Sequence, residues 1–207
     1  MININLDPVM VQWGPIAIEW HGLLLAAGVI LGYVVFRFES QRLGLERDRL
    51  GGYLLSLSIA GLVGARLAHV FLYDWHSYAT QPARILALWD GGLAVYGGLI
   101  GGILAAVGYA RWQRLSFWRL ADATAVGIVA GMIVGRIGCT IAGDVAGVPT
   151  DGSWGLVYWH PSASIPADLL GVPTFPAPSM MQLWNVGLLL LLLAQRKRLQ
   201  LQGALFL

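Results

Sequence analysis

The chain has 207 residues, of which 57% are hydrophobic and 12% are charged, and its formal net charge at pH 7 is +2. Soluble domains carry about 25% charged residues, so this composition excludes a free soluble globule and predicts a polytopic membrane protein. The high apolar content excludes intrinsic disorder, and the small net charge argues against nucleic-acid binding. A single cysteine, Cys139, excludes a disulfide scaffold. Cys139 and the four histidines show no zinc-ligand spacing, so no metal site is expected.

Five apolar segments reach or approach the length of about 20 residues that a membrane-spanning helix needs. They cover residues 15–36, 50–73, 86–110, 120–143 and 179–194. We therefore expect an all-α bundle of about five transmembrane helices, which forms a single integral membrane domain over residues 1–207. The N-terminus carries Asp7 and lacks the basic region of a secretory signal peptide.

The connecting segments differ in their content of Lys and Arg. Ten of the thirteen basic residues lie between the first and second segments, between the third and fourth, or after the fifth. Residues 144–178 contain none. Because cytoplasmic loops are enriched in Lys and Arg, the N-terminus is predicted outside and the C-terminus in the cytoplasm. Residues 144–178 then form an outward loop, which is either functional or a passive tether.

Glycine pairs spaced four residues apart recur in the apolar segments and favour close approach of helix backbones. They are Gly28/Gly32, Gly97/Gly101, Gly98/Gly102, Gly127/Gly131 and Gly131/Gly135. In addition, residues 60–67 resemble residues 130–137, which favours two parallel repeats of helix pairs.

With this orientation, the polar side chains of the apolar segments all fall in the outer half of the bilayer. They are Glu19, His21, Arg66, His69, Asp90, Tyr96 and Arg136. A channel or proton relay would need polar groups in both halves, so we expect one outward-facing cavity. A guanidinium group binds phosphate in bidentate fashion, and Arg66 and Arg136 therefore predict an anionic lipid headgroup as ligand. The alternative for Arg66 is a structural ion pair with Asp90 or Glu19.

Five motifs then resemble, in the same chain order, those of the prolipoprotein diacylglyceryl transferases. Residues 135–144, G-R-I-G-C-T-I-A-G-D, with Gly147 after them, resemble the signature G-R-x-G-N-F-x-N-G-E-x-x-G. Residues 89–101, W-D-G-G-L-A-V-Y-G-G-L-I-G, are similar to W-x-G-G-x-x-F-H-G-G-L-I-G. Weaker matches lie at residues 20–23, 64–73 and 182–185.

The resemblance implies a multi-pass protein of the bacterial inner membrane. Such a protein moves a diacylglyceryl group from phosphatidylglycerol to the lipobox cysteine thiol of a preprolipoprotein, and neither a cofactor nor a metal is implied. A thiolate is the nucleophile in this chemistry, and fixed guanidinium groups stabilise the departing phosphate. By motif position, the implied catalytic residues are His21 as base or hydrogen-bond partner, Tyr96 as its orienter and Arg136 at the phosphate. The implied substrate-binding residues are Arg66, Asp90, Gly97, Gly98, Gly138, Asp144 and Gly147.

The sequence departs from the family pattern at several of these positions. Tyr96 stands where the family has histidine, and His21 where it has tyrosine, so that the two residues either exchanged places or changed independently. Cys139 and Ala142 replace two asparagines, and Asp144 replaces a glutamate. Family members continue with two further helices, so a divergent, shortened member is expected. The alternative is a non-catalytic membrane subunit that binds lipid or joins a larger membrane complex.

Overall fold

A computed structural model describes residues 1–14, 16–87, 91–196 and 205–206. Most of these residues form helices: α1 (Trp20–Arg42), α2 (Tyr53–Leu72), α3 (Trp75–Thr80), α4 (Val95–Trp112), α5 (Phe117–Ala142) and α6 (Ala177–Gln195). Short strands accompany them: β1 (Ile2–Ile4), β2 (Val9–Trp13), β3 (Ile16–Glu19) and β4 (Leu156–Tyr158).

Within the described residues, four helical segments are long and apolar enough to cross a membrane. They are Trp20–Arg42, Arg47–Leu72, Phe117–Ala142 and Ala177–Gln195. The protein is therefore an all-α, polytopic membrane protein, as its composition predicts. The third predicted segment, 86–110, begins too early, because the 18-residue helix α4 begins at Val95. Gly91 and Gly92 precede it with φ of 76° and 77°, values that an α-helix cannot contain.

The helices form two compact units. The first unit contains the described residues of Met1–Glu39 and Ala123–Leu205, and the second contains those of Ser40–Asp122 together with Phe206. The prediction of a single membrane domain stays a prediction.

In the first unit, α1 and α5 run antiparallel and touch backbone to backbone. A methyl group on Gly28 would lie 2.6 Å from the carbonyl oxygen of Gly131, and one on Gly32 would lie 2.8 Å from that of Gly127. Neither separation allows a side chain, so the predicted use of these glycines for close packing is confirmed.

In the second unit, α2 and α4 form a similar antiparallel pair. A side chain on Gly97 would collide with the backbone of Gly64, and one on Gly101 would collide with the backbone of Ala60. Gly98 makes ordinary contacts with α2, whereas Gly102 faces open space. The predicted contacts of Gly97 and Gly101 are therefore confirmed, whereas the predicted close contact of Gly102 is wrong.

Residues 144–178 fold back against the N-terminus within the first unit. Strand β1 pairs in parallel with β4, with Ile2 opposite Leu156 and Ile4 opposite Tyr158. Leu156, Tyr158 and Ile165 form a small buried core, against which Ile4 packs. The segment is thus a folded cap, and the choice between a functional loop and a passive tether stays a prediction.

The adjacent residues Gly101 and Gly102 give a test of this helix packing. We expect Gly101→Ala to lower the free energy of unfolding by about 1–3 kcal/mol, because the new methyl group meets the backbone of Ala60. Gly102→Ala is the matched control, and we expect it to be neutral or to stabilise by up to about 1 kcal/mol through helix propensity. Thermal unfolding in detergent micelles measures both, and equal effects of the two substitutions would contradict the packing.

Candidate functional site

Several polar residues meet where α5 ends. Arg136 and Cys139 lie in its last two turns, and Asp144 follows directly. Gly143 ends the helix with φ of 79°, and its N–H donates to the carbonyl oxygen of Cys139 at 3.0 Å. This is a common use of glycine after a helix C-terminus, and it places Asp144 beside the helix end.

His21, at the start of α1, reaches the same place. A methyl group on Gly138 would lie 3.1 Å from the Cα of His21, so the absence of a side chain at Gly138 lets α1 approach α5. His21 Nδ1 is 3.2 Å from Asp144 Oδ2. The contact lacks the alignment of a hydrogen bond, and the buried Nδ1 has no hydrogen-bond partner. Both side chains are about one-third exposed, at 30% and 32%.

Cys139 completes this group. One donor atom each of His21, Cys139 and Asp144 lies within 4.8 Å of the others. We refer to these three residues as the His–Cys–Asp cluster. The Arg136 guanidinium donates from Nη1 to Cys139 Sγ at 3.6 Å. The cluster and Arg136 together bring a thiol, an imidazole, a carboxylate and a fixed cation to one place.

Arg136 is half-buried, and the contact with sulfur is the only hydrogen bond of its side chain in the part of the chain that the structure describes. Within the same residues, no carboxylate lies within ion-pair distance of it. Four of the five guanidinium N–H groups therefore remain available for an anionic ligand.

Tyr158 on β4 supports the end of α5 from the cap. Its hydroxyl group donates to the Thr140 carbonyl oxygen at 2.9 Å, and its ring packs against Gly143. Burial, together with the negative charges of Asp144 and Cys139, raises the pKa of Tyr158 to about 12. The phenol therefore stays protonated and remains a donor at physiological pH. Sequence reasoning missed Tyr158, because only the short apolar run 156–158 indicates a buried strand there.

Arg66 has a different environment in the second unit. Its side chain is 3% exposed, and its five N–H groups each donate to a backbone carbonyl group. The acceptors are the carbonyl oxygens of Arg84, Ile85, Ala87, Gly91 and Gly92. The guanidinium also lies over the Tyr78 ring, 5.1 Å from its centroid. Since no N–H group is left over, this geometry favours a structural residue that holds the segment before α4, rather than a phosphate ligand.

The partners of Arg66 also differ from the predicted structural alternative. Within the described residues, its partners are backbone carbonyl groups rather than the carboxylate of Glu19. Asp90 itself lies outside the described residues.

The remaining predicted site residues are divided between the two units. Tyr96 lies in the first turn of α4 with 75% of its surface exposed, next to the packing glycines Gly97 and Gly98. Gly147 belongs to the cap, where a side chain would collide with the backbone of Phe175. The first unit thus brings together His21, Arg136, Gly138 and Asp144, whereas Arg66, Tyr96, Gly97 and Gly98 belong to the second. The single cavity expected from the sequence stays a prediction.

The high pKa of Tyr158 predicts a pH dependence of stability. The pKa of a tyrosine in the unfolded chain is about 10, and the folded state raises that of Tyr158 to about 12. The folded state therefore favours the neutral phenol. This stabilisation is complete below pH 10 and is lost as the pH rises to 12. We expect this loss to be about 2–3 kcal/mol. Tyr158→Phe removes this component and costs about 1 kcal/mol at neutral pH through the lost hydrogen bond. Denaturant unfolding between pH 9 and 12 measures it, with the exposed Tyr73→Phe as control. Identical pH profiles for Tyr158→Phe and the unchanged chain would contradict this assignment.

The environment of Arg66 predicts that lysine cannot replace it. Lysine has three donors for the five carbonyl groups around the buried Arg66 side chain, so at least two of them lose the donor that arginine supplies, at about 1–3 kcal/mol each. We expect Arg66→Lys to lower the free energy of unfolding by roughly 2–6 kcal/mol, and the exposed Arg47→Lys to leave it unchanged. Thermal unfolding with limited proteolysis of both variants measures the effect. A stable Arg66→Lys variant would show that the five hydrogen bonds from Arg66 to backbone carbonyl groups are dispensable.

Comparison with known proteins adds the last observation. A family model described as prolipoprotein diacylglyceryl transferase matches residues 8–207. A phosphatidylglycerol–prolipoprotein diacylglyceryl transferase of Nostoc is 37% identical over 207 residues, which cover 96% of this chain and 72% of that protein. An enzyme of the same name in Halalkalibacterium halodurans is 35% identical over 97% of this chain and 70% of that protein. Another in Synechocystis is 35% identical over 90% of this chain and 65% of that protein.

Proposed function

Since the chain belongs to the prolipoprotein diacylglyceryl transferase family, we propose that it transfers a diacylglyceryl group from phosphatidylglycerol to the thiol of a lipobox cysteine in a preprolipoprotein. The thiolate sulfur replaces the phosphate oxygen on the glyceryl carbon. A thioether forms, and glycerol phosphate leaves with the bonding electron pair. The proposal places the protein in the bacterial inner membrane, where this lipid and the secreted substrate meet.

The observation that carries the proposal is the environment of Arg136. It occupies the arginine position of the family signature, and within the described residues its guanidinium has no carboxylate partner. A leaving phosphate gains negative charge as the C–O bond breaks, and a preorganised guanidinium stabilises that charge without reorganisation. Arg136 is therefore the proposed phosphate ligand.

His21 is the proposed acceptor of the thiol proton. Its ring is partly exposed, and Nδ1 has no hydrogen-bond partner. Asp144, whose Oδ2 lies 3.2 Å from Nδ1, supplies the negative charge that offsets the positive charge of the protonated ring. Gly138 and Gly147 contribute by allowing the close contacts that bring α1 and the cap to the end of α5.

Arg66 contributes indirectly in this proposal. It binds backbone carbonyl groups of Arg84, Ile85 and Ala87 and of Gly91 and Gly92, which lie shortly before α4 and the exposed Tyr96. It is thus a positioning residue rather than the second phosphate ligand that the sequence suggests. The role of Tyr96 as an orienting residue stays a prediction from the family motif.

The test is a transferase assay with the purified chain in phosphatidylglycerol liposomes and a lipobox peptide, in which mass spectrometry detects the thioether product. We expect Arg136→Ala to lower turnover by about 100- to 1000-fold. Arg136→Lys should retain part of the activity, since lysine keeps the charge but not the bidentate geometry. The exposed Arg47→Ala is the control and should match the unchanged chain.

Two results would contradict the proposal. The first is turnover in Arg136→Ala equal to that of the unchanged chain. The second is the absence of thioether under conditions in which a full-length relative is active. In that second case, binding of phosphatidylglycerol and co-purification with other membrane chains would identify a non-catalytic subunit.

A further inference from the structure

We propose that the His–Cys–Asp cluster binds a divalent transition-metal cation, for which zinc fits best. His21, Cys139 and Asp144 each place one donor atom within 4.8 Å of the other two. The fold therefore brings together three potential ligands whose spacing in the sequence does not indicate a metal site. The site does not depend on the transferase activity, because metal binding is measured without lipid or peptide.

The contact between His21 and Asp144 has the separation expected of two metal ligands. Zinc–nitrogen and zinc–oxygen bonds of about 2.0–2.1 Å in a tetrahedron set neighbouring donors roughly 3.3 Å apart, and the Nδ1–Oδ2 distance is 3.2 Å. A hydrogen bond does not explain this contact, because its alignment is missing and Nδ1 is buried without a hydrogen-bond partner. A buried nitrogen without a partner costs free energy, which a bound cation would recover.

The type and charge of the donors favour zinc over harder cations. Thiolate and imidazole are ligands of zinc and related transition metals, whereas magnesium and calcium prefer sites made of oxygen atoms. A thiolate and a carboxylate together balance a divalent charge, so the nearby Arg136 does not have to face an uncompensated cation. The Cys139 thiol would release its proton to solvent when the metal–sulfur bond forms.

Cys139, His21 and Asp144 are arranged better for a chelate than for a proton relay that starts at the Cys139 thiol. A bound metal would prevent His21 from accepting the proton of a substrate thiol, so the two roles belong to alternative states of the site. A cysteine–histidine–aspartate relay requires aligned hydrogen bonds from both ring nitrogens of the histidine, and Nδ1 makes none. Three protein ligands leave a fourth coordination position, as in zinc sites that also bind water or substrate. The partial exposure of His21 and Asp144 leaves room for that position.

All three ligands are also residues at which this chain departs from the family motifs. His21, Cys139 and Asp144 stand where those motifs have tyrosine, asparagine and glutamate. The changes at His21 and Cys139 introduce side chains of types that zinc sites use, and Asp144 keeps a carboxylate at its position. The cluster is therefore a property of this chain rather than of the motif pattern.

The test uses the full chain, purified without a polyhistidine tag and reconstituted in lipid nanodiscs. After equilibration with zinc and dialysis, we expect about one zinc ion per chain by plasma mass spectrometry. Cobalt in place of zinc should give a thiolate-to-cobalt absorption band, which can come only from Cys139 because the chain has one cysteine. The absence of this band in the unchanged chain would overturn the proposal, whatever the variants do.

Variants that restore the motif residues then assign the ligands. We expect Cys139→Asn and His21→Tyr to lower zinc affinity by at least about 100-fold. Removal of a residue that only hydrogen-bonds to a metal ligand lowers affinity less, by about 10- to 100-fold. His160→Tyr is the matched control, because His160 faces Asp7 at 3.9 Å as a second His–Asp pair outside the cluster. Unfolding midpoints confirm that each variant is folded. Retention of zinc in a folded Cys139→Asn variant would overturn the site.

Discussion

A polar group inside a membrane has to find its partner within the protein, and two arginines of this chain meet that constraint differently. Arg66 gives its five N–H groups to five backbone carbonyl groups, and it thereby holds the segment that precedes α4. Within the described residues, the Arg136 side chain makes one hydrogen bond, to the sulfur of Cys139. Arg66, whose donors are all used, supports the fold. Arg136, most of whose donors remain available, marks the place where the protein can accept a ligand.

The position of that place depends on contacts between backbones. Gly28 and Gly131 let α1 and α5 approach until no side chain fits between them, and Gly138 extends this contact to His21. Because lipid provides no hydrophobic driving force for helix association, van der Waals packing at this distance stabilises the pair. The approach of His21 to Asp144 therefore depends on two helices in direct contact.

The cap made by residues 144–178 and the N-terminal strand holds the same region from the other side. Tyr158 ties the cap to the last turn of α5 through Thr140. Because its phenol remains protonated beside Asp144 and Cys139, it adds no negative charge to a site that we propose to bind a lipid phosphate. The proposed metal ligands lie in this same site, so its departures from the family motifs give it a second ligand chemistry.

The sequence by itself determined the membrane class, four of the spanning helices, the family and the packing of most glycine pairs. These features follow from apolar length and from small residues at fixed spacing, which are local properties of the chain. Tertiary structure alone decided the partners of Arg66, since backbone carbonyl groups carry no residue-specific signal in a sequence. It also decided that His21 meets Cys139 and Asp144, and that residues 144–178 fold on β1, because these contacts join segments far apart in the chain. Their formation depends on how the helices and the cap pack, which no local pattern contains.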